Sequence, residues 1–238
     1  MANSYFQFKQ FLIHQERCAM KLSTDAMMLG AVAEHPLPSH ILDIGTGTGV
    51  LALMLAQKYA EARIHAVEID QDAAEQAAEN MKLSPWKGRL LVFKDAFQSF
   101  AMLKNHQYEL IVSNPPFFPN HIKSTDAKRN VALHSDELTF EDLLKGVAKL
   151  LSSKGLFFLI LPPRQMQDVK LLAEHNRLYL QTATTIYDNP NAKPFREICS
   201  FGKNRVETPL FKIFYIKEPD GKYTAEYRRL LKDYMLHF

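Results

Sequence analysis

Long hydrophobic runs are absent from this sequence. No apolar stretch approaches the roughly 20 residues a membrane-spanning helix needs, so no membrane span is expected. Cysteine is scarce: Cys18 and Cys199 lie far apart, form no metal-ligand cluster, and as free thiols fit a reducing cytoplasm. No metal site is expected from this composition. The start, Met1-Ala2-Asn3-Ser4-Tyr5, lacks the cationic-then-apolar order of a secretory signal. There is no internal repeat and no low-complexity tract. Charge of either sign is also modest in excess. A net charge of +3 permits an anionic partner without demanding one. What remains is a chain of 238 residues with 47% hydrophobic content, ample for a buried core. That length is long for one average domain and short for two, and large α/β units of this size occur as one domain.

Glycine is sparse too, yet three of the nine fall within Gly45-Thr46-Gly47-Thr48-Gly49. Ile41-Leu42-Asp43-Ile44 reads as a strand running into this turn, and Val50 to Tyr59 reads as a helix leaving it. Strand, glycine turn and helix make a nucleotide-cofactor arrangement, with backbone close to the ligand and helix N–H groups turned to a negative group. The next strand, Arg63 to Val67, ends at Glu68, about 20 residues on, where an acid usually holds ribose hydroxyls. Asp70 competes for that role, but its place suits an N-cap for a helix over Gln71 to Met81. The glycine pattern is G-x-G-x-G, and Val50 stands where a dinucleotide site would place its last glycine. This spacing favours a donor without a pyrophosphate, namely S-adenosylmethionine. A third strand, Arg89 to Phe93, leads to Asp95-Ala96-Phe97. Asp95 there can accept from an adenine amine, with Ala96 or Phe97 beside the ring, or can simply cap a helix.

A fourth strand, Tyr108 to Val112, leads to Ser113-Asn114-Pro115-Pro116-Phe117. Asn114 offers a side-chain carbonyl. Pro115 and Pro116 fix φ and carry no N–H, and residues preceding proline are held extended. The outcome is a stiff corner with free carbonyls, followed by the flat face of Phe117. Such a corner suits a planar ring bearing an exocyclic amine, although Asn-Pro is also an ordinary turn signal. In a parallel doubly wound sheet, ligands collect at the carboxyl ends of strands. Gly45, Glu68, Asp95 and Asn114 should therefore share one rim.

The flanking segments say less. Phe6, Phe8 and Phe11 should pack on the domain, in an arm whose cations can also meet nucleic acid. Thr24 or Asp25 can cap a helix that ends at His35-Pro36. Residues 118 to 135 read as an exposed loop over the site carrying Lys123, Lys128, Arg129 and His134. His134 is a weak general-base candidate there. Helices are expected over Glu137 to Leu151, Met166 to Arg177 and Tyr223 to His237, with a strand from Gly155 to Leu161. Three further strands, about Tyr179 to Tyr187, Phe195 to Phe201 and Leu210 to Ile216, suggest an antiparallel edge. Lys193, Arg196, Lys203 and Arg205 cluster around its turns and can meet phosphates.

Asp43 to Gly49, Glu68, Asp95-Ala96 and Asn114-Pro115-Pro116-Phe117 occur in the order that resembles class I S-adenosylmethionine-dependent methyltransferases. The last motif resembles that of their amino-methylating branch. Nearly the whole chain is similar to the bacterial family that N6-methylates adenosine 37 of a valine tRNA. The likeness includes Lys21 to Gly30, Val131-Ala132-Leu133-His134 and Tyr223 to Tyr227. The resemblance implies a single doubly wound, Rossmann-like, seven-stranded mixed sheet with an antiparallel C-terminal edge. It implies one domain over 1–238, with an arm and helix over 1–38, a catalytic core over 39–161 and edge strands with a helix over 162–238. Thr24, Asp25 and the Gly45–Gly49 backbone would surround the amino-acid end of S-adenosylmethionine. Asp43, Thr46 and Asn114 would also belong to the donor site, with Glu68 at the ribose and Asp95 and Ala96 at the adenine. Asn114 and the Pro115 carbonyl would hold the target amine in the corner completed by Pro116, with Phe117 on the target ring. Lys123, Arg129, Arg196 and Lys203 are candidates for the tRNA. Phe118 has no assigned role.

Rival readings share the corner. A protein-glutamine N5-methyltransferase usually carries a helical module ahead of the catalytic domain, and only an arm and a helix precede Ile41. A ribosomal RNA guanine-N2 methyltransferase is often longer, and a DNA adenine methyltransferase would need a recognition domain. An S-adenosylmethionine-binding protein without catalysis is the non-enzymatic alternative. A nicotinamide oxidoreductase is disfavoured by the glycine spacing.

Overall fold

A computed structural model of the chain describes residues 4–115 and 138–238. Pro116, Phe117, Lys123, Arg129 and His134 lie outside the described residues.

The chain opens with a short antiparallel ribbon, β1 (Tyr5–Gln7) and β2 (Leu12–His14). Strands of three residues show no readable alternation, so the sequence gives no sign of them. Phe8 and Phe11 are buried as expected, and they stack on each other at 4.4 Å between centroids. Helix α1 (Thr24–Val32) is capped by Ser23, whose Oγ accepts from the Ala26 N–H at 3.2 Å. The cap is therefore neither Thr24 nor Asp25, and Thr24 begins the helix as an exposed residue.

The body alternates strand and helix: β3 (His40–Ile44), α2 (Val50–Lys58), β4 (Arg63–Glu68), α3 (Gln71–Leu83), β5 (Leu90–Lys94), α4 (Phe97–Leu103) and β6 (Tyr108–Ser113). After the loop come α5 (Phe140–Leu150), β7 (Leu151–Leu161), α6 (Pro163–His175), β8 (Tyr179–Tyr187), β9 (Pro194–Gly202), β10 (Leu210–Tyr215) and α7 (Ala225–Leu231). Asp70 caps α3, as read from the sequence, accepting from the Ala73 N–H at 2.8 Å. Pro163 opens α6 at a position where a missing N–H costs nothing.

Among the described residues the main sheet has eight strands in the order β10-β8-β9-β7-β6-β3-β4-β5. This is one more than the family resemblance implies. Strands β3 to β7 run parallel, β9 is antiparallel to both β7 and β8, and β10 lies parallel to β8 at the outer edge. The C-terminal strands thus include an antiparallel hairpin, as expected, but β10 does not continue it. It pairs on the far side of β8, because β7 already occupies the free edge of β9. The central strands β3 and β6 are buried on both faces, which is why they read as nearly continuous apolar runs, whereas β5 at the edge leaves Leu91 exposed. On β7, Phe158 and Ile160 join the core under α1 and α2, while Phe157, Leu159 and Leu161 join the core under α4, α5 and α6. Strand order reverses between β3 and β6, the point where such sheets bind ligands. Ser113 Oγ donates to the Ile44 carbonyl at 2.9 Å and ties these two strands together at their carboxyl ends.

Candidate active site

The turn after β3 is built from its backbone upward. The Gly45 and Thr46 N–H groups donate to the Val67 carbonyl at 2.9 and 3.2 Å, so the loop hangs from the end of β4. Gly45 and Gly47 have φ of +70° and +54°, and a Cβ at either would meet no atom within 4 Å. That open space is the cleft, approached by bare backbone. Gly49 serves differently: its φ is +82°, and a Cβ there would press on Met81 and Ala77 of α3.

The cleft has two adjoining lobes that share Met20, Gly45, Gly47, Asn114 and Pro115. One lobe is walled by Val67, Ile69, Phe97 and Leu138, with Glu68, Asp70 and Asp95 as its acids. The other carries Ser23, Asp25, Thr46 and Arg196. Gly45, Glu68, Asp95 and Asn114 thus sit along one rim, as the strand-end argument requires. Glu68 also braces the loop, accepting from the Gly47 N–H at 2.9 Å and the Asp70 N–H at 3.0 Å.

Several expected residues stand elsewhere. Asp43 is fully buried behind the loop, where Oδ2 accepts from Thr46 Oγ1 at 2.6 Å and the Ala52 N–H at 3.2 Å. Thr24, Gly49 and Ala96 are not among the lining residues; Phe97 rather than Ala96 forms the wall beside Asp95. Arg196 faces the cleft and pairs with Asp25 at 2.6 Å. Lys203 follows the opposite end of β9, about 23 Å along the strand from Arg196 at roughly 3.3 Å per residue. Arg205 lies over the Tyr179 ring at that same far end.

The sequence did not point to the strap between β2 and α1. Cys18, Ala19 and Met20 line one lobe, and Met20 to Ser23 line the other. Gln15 Oε1 takes the Leu22 N–H at 2.8 Å. Asn80, buried on α3, accepts from the His14 N–H at 2.9 Å and donates to the His14 carbonyl at 2.8 Å and the Thr48 carbonyl at 2.9 Å. One side chain therefore holds both the arm and the glycine loop. Burial beside Glu68 and Asp70 pushes the Cys18 thiol up to about 11, so it stays protonated and acts as wall.

Burial pushes the Asp43 carboxyl up to about 7 against the hydrogen bonds from Thr46 and Ala52, and its Oδ1 has no hydrogen-bond partner. The folded state therefore holds a proton that the unfolded chain releases near 3.8. Stability from this group is present below that value and is lost as pH rises toward about 7. Asp43→Asn keeps the acceptor and removes the charge. It should gain stability over the wild type as pH rises through this window, by on the order of a few kcal/mol at the plateau. Urea midpoints measured across that pH range check it; parallel curves would mean that Asp43 is ionised throughout.

A doubly wound sheet with an antiparallel pair on one side and a cleft at the β3/β6 switch point is the architecture of a Rossmann-like methyltransferase. The closeness extends to a solved structure described as a predicted O-methyltransferase from Agrobacterium tumefaciens, with a TM-score of 0.70 and 21% identity over 88% of this chain and 96% of that one. The family model for the methyltransferase small domain matches residues 23–177, and this chain belongs to that family. Among full-length relatives, a tRNA1(Val) (adenine(37)-N6)-methyltransferase of Bacteroides thetaiotaomicron is 41% identical over 100% of this chain and 99% of its own length. One of the same description from Pedobacter heparinus is 42% identical over 98% of both.

Among the described residues, no helix is long and apolar enough to cross a membrane, and no cluster of His, Cys, Asp and Glu could hold a metal ion.

Proposed function

We propose that this methyltransferase moves a methyl group from S-adenosylmethionine to the exocyclic N6 of adenosine 37 in the anticodon loop of tRNA(Val). The observation that carries the chemistry is that Asn114 and Pro115 line both lobes of the cleft at once. The substrate rests on the full-length relatives named for that reaction. The residues fit the donor, since bare glycine backbone leaves the cleft open for a ligand. The acids and apolar walls of one lobe suit a nucleoside, and the paired charges of the other suit an amino acid. When bound, S-adenosylmethionine supplies an electrophilic methyl on a sulfonium. The chain works as one domain in the cytoplasm.

An adenine N6 is a poor nucleophile because its lone pair is delocalised into the ring. Asn114 Oδ1 and the Pro115 carbonyl accept its two hydrogens, draw the nitrogen toward pyramidal geometry and stabilise the positive charge that grows on it. The rest of the site aligns the reacting atoms. No general base is needed before transfer, because the amine becomes acidic only afterward. The base must leave its stack, which costs least in a single-stranded loop. Phe117 stacks on the extruded ring, worth about 1–3 kcal/mol. Lys123 and Arg129 contact the RNA phosphates.

Glu68 holds the ribose. Glu68→Ala should weaken S-adenosylhomocysteine binding roughly 10–100-fold, the range for a charge-assisted hydrogen bond, as read by calorimetry. Unchanged affinity would move the ribose contact to Asp70. The test of the function is methyl transfer from labelled S-adenosylmethionine to separate pools of unmodified tRNA, ribosomal RNA, DNA and protein. The expected product is N6-methyladenosine in tRNA. Methylglutamine or N2-methylguanosine would keep the corner and replace the acceptor.

A further inference from the structure

The ion pair between Asp25 and Arg196 joins the first turn of α1 to β9, 171 residues later in the chain. The two side chains are only 11% and 23% exposed, and both line the lobe that holds Gly45, Thr46, Gly47 and Asn114. Arg196 is held in place by more than Asp25: its Nη1 donates to the Phe195 carbonyl at 2.7 Å, and its guanidinium lies over the Phe195 ring at 5.4 Å. Removing two charges from water is costly, and apolar residues of similar size often do as well for stability. A largely buried pair facing a cleft therefore calls for an explanation in terms of what enters the cleft.

The adjoining lobe, with its three acids and apolar walls, takes the nucleoside end of the donor. The end that remains for the Asp25 lobe is an α-amino acid, a zwitterion with an ammonium and a carboxylate a few ångströms apart. The lobe offers one carboxylate and one guanidinium in contact with each other, a charge pattern of the same span and opposite sense. Building on the S-adenosylmethionine reading above, we propose that the Asp25–Arg196 pair selects the donor's zwitterion, with Arg196 taking its carboxylate and Asp25 its ammonium. Arg196 is thus a donor-specificity residue and not one of the cations that grip RNA phosphates. The pairing with Asp25 fixes the guanidinium plane before the ligand arrives. Lys21 is another cation lining this lobe, and it is the internal rival for the carboxylate.

The test is calorimetric binding to the full chain of S-adenosylmethionine, its decarboxylated analogue, and 5′-methylthioadenosine, which lacks the amino acid altogether. The wild type should prefer S-adenosylmethionine over the decarboxylated form by roughly 10–100-fold, as expected for one charge-assisted contact. Arg196→Met should lose most of that preference while binding methylthioadenosine within about threefold of the wild type, a change smaller than one such contact. Arg196→Lys keeps the charge without the planar fork and should fall between the two. It also carries the test if the Met variant does not fold. Lys21→Ala should keep the preference. Equal weakening toward all three ligands would make Arg196 merely structural, and loss of the preference in Lys21→Ala instead would assign the carboxylate to Lys21. Either result overturns the proposal. So would a tRNA-binding salt slope reduced by about one in the Arg196 variants, which returns Arg196 to the phosphates. A wild type that binds neither S-adenosylmethionine nor methylthioadenosine refutes the donor reading itself, an outcome distinct from those above.

Discussion

Asn114→Ala should lower kcat by about 10²–10³-fold, the scale for removing one preorganised group that meets developing charge, with donor affinity changed far less. The expectation follows from where Asn114 sits. It directly follows β6 at the switch point and lines both lobes, which on the proposed function take the nucleoside and the amino acid of the donor. The middle of the donor, where its methyl is carried, has to fall between them. The Asn114 carbonyl gains most when the amine becomes cationic, so its loss is felt in the transition state and little in the ground state. Ser113, which locks β6 to β3 through the Ile44 carbonyl, stays in place in this variant, so the fold should be unaffected. Single-turnover rates set beside calorimetric affinity for S-adenosylhomocysteine separate the two effects. Full turnover would remove Asn114 from the mechanism, and a loss seen only in donor affinity would make it a donor ligand.

Asn80→Leu should be the most damaging change outside the cleft. Leucine fills nearly the same space but leaves the His14 N–H, the His14 carbonyl and the Thr48 carbonyl without their partner. Each buried backbone group stranded in this way costs about 1–3 kcal/mol. A total of roughly 3–5 kcal/mol is expected once the arm relaxes toward water, a large share of the 5–15 kcal/mol typical of a domain. Asn80→Asp should lose much of the same stability, since a carboxylate cannot donate to either carbonyl. Because Thr48 lies in the glycine loop and the strap after His14 walls the cleft, donor affinity should fall with stability. Urea unfolding and donor titration on the same samples test the link. Weaker folding with unchanged donor affinity would show that the arm and the loop are independent.

Much of the candidate site was legible because its parts are local. A glycine turn between strand and helix, an acid at each of two later strand ends, and an Asn-Pro-Pro corner are all set by neighbours in sequence. Their shared rim follows from parallel winding alone. Asp70 was read correctly as a cap because capping needs only three residues of context. Ser23 was not, because Ser23, Thr24 and Asp25 are all good caps and the choice depends on where the strap enters α1. Asp43 read as a donor contact because it precedes the glycines, but its side chain points behind the loop and fixes Thr46 and α2.

The sequence by itself determined the central parallel strands, buried on both faces and so written as nearly continuous apolar runs, together with the glycine loop and the Asn114-Pro115 strand end beside it. Tertiary structure decided the rest. It paired β10 with β8 rather than β9, since a strand can be hydrogen-bonded on only two sides and β9 had both taken. It placed the strap over the cleft by way of Asn80, and it turned Arg196 inward to Asp25 while leaving Lys203 at the far end of the same strand. In sequence, Arg196 and Lys203 are alike as cations beside turns. They differ through a carboxylate 171 positions away, and a contact of that kind is set by packing and not by spacing.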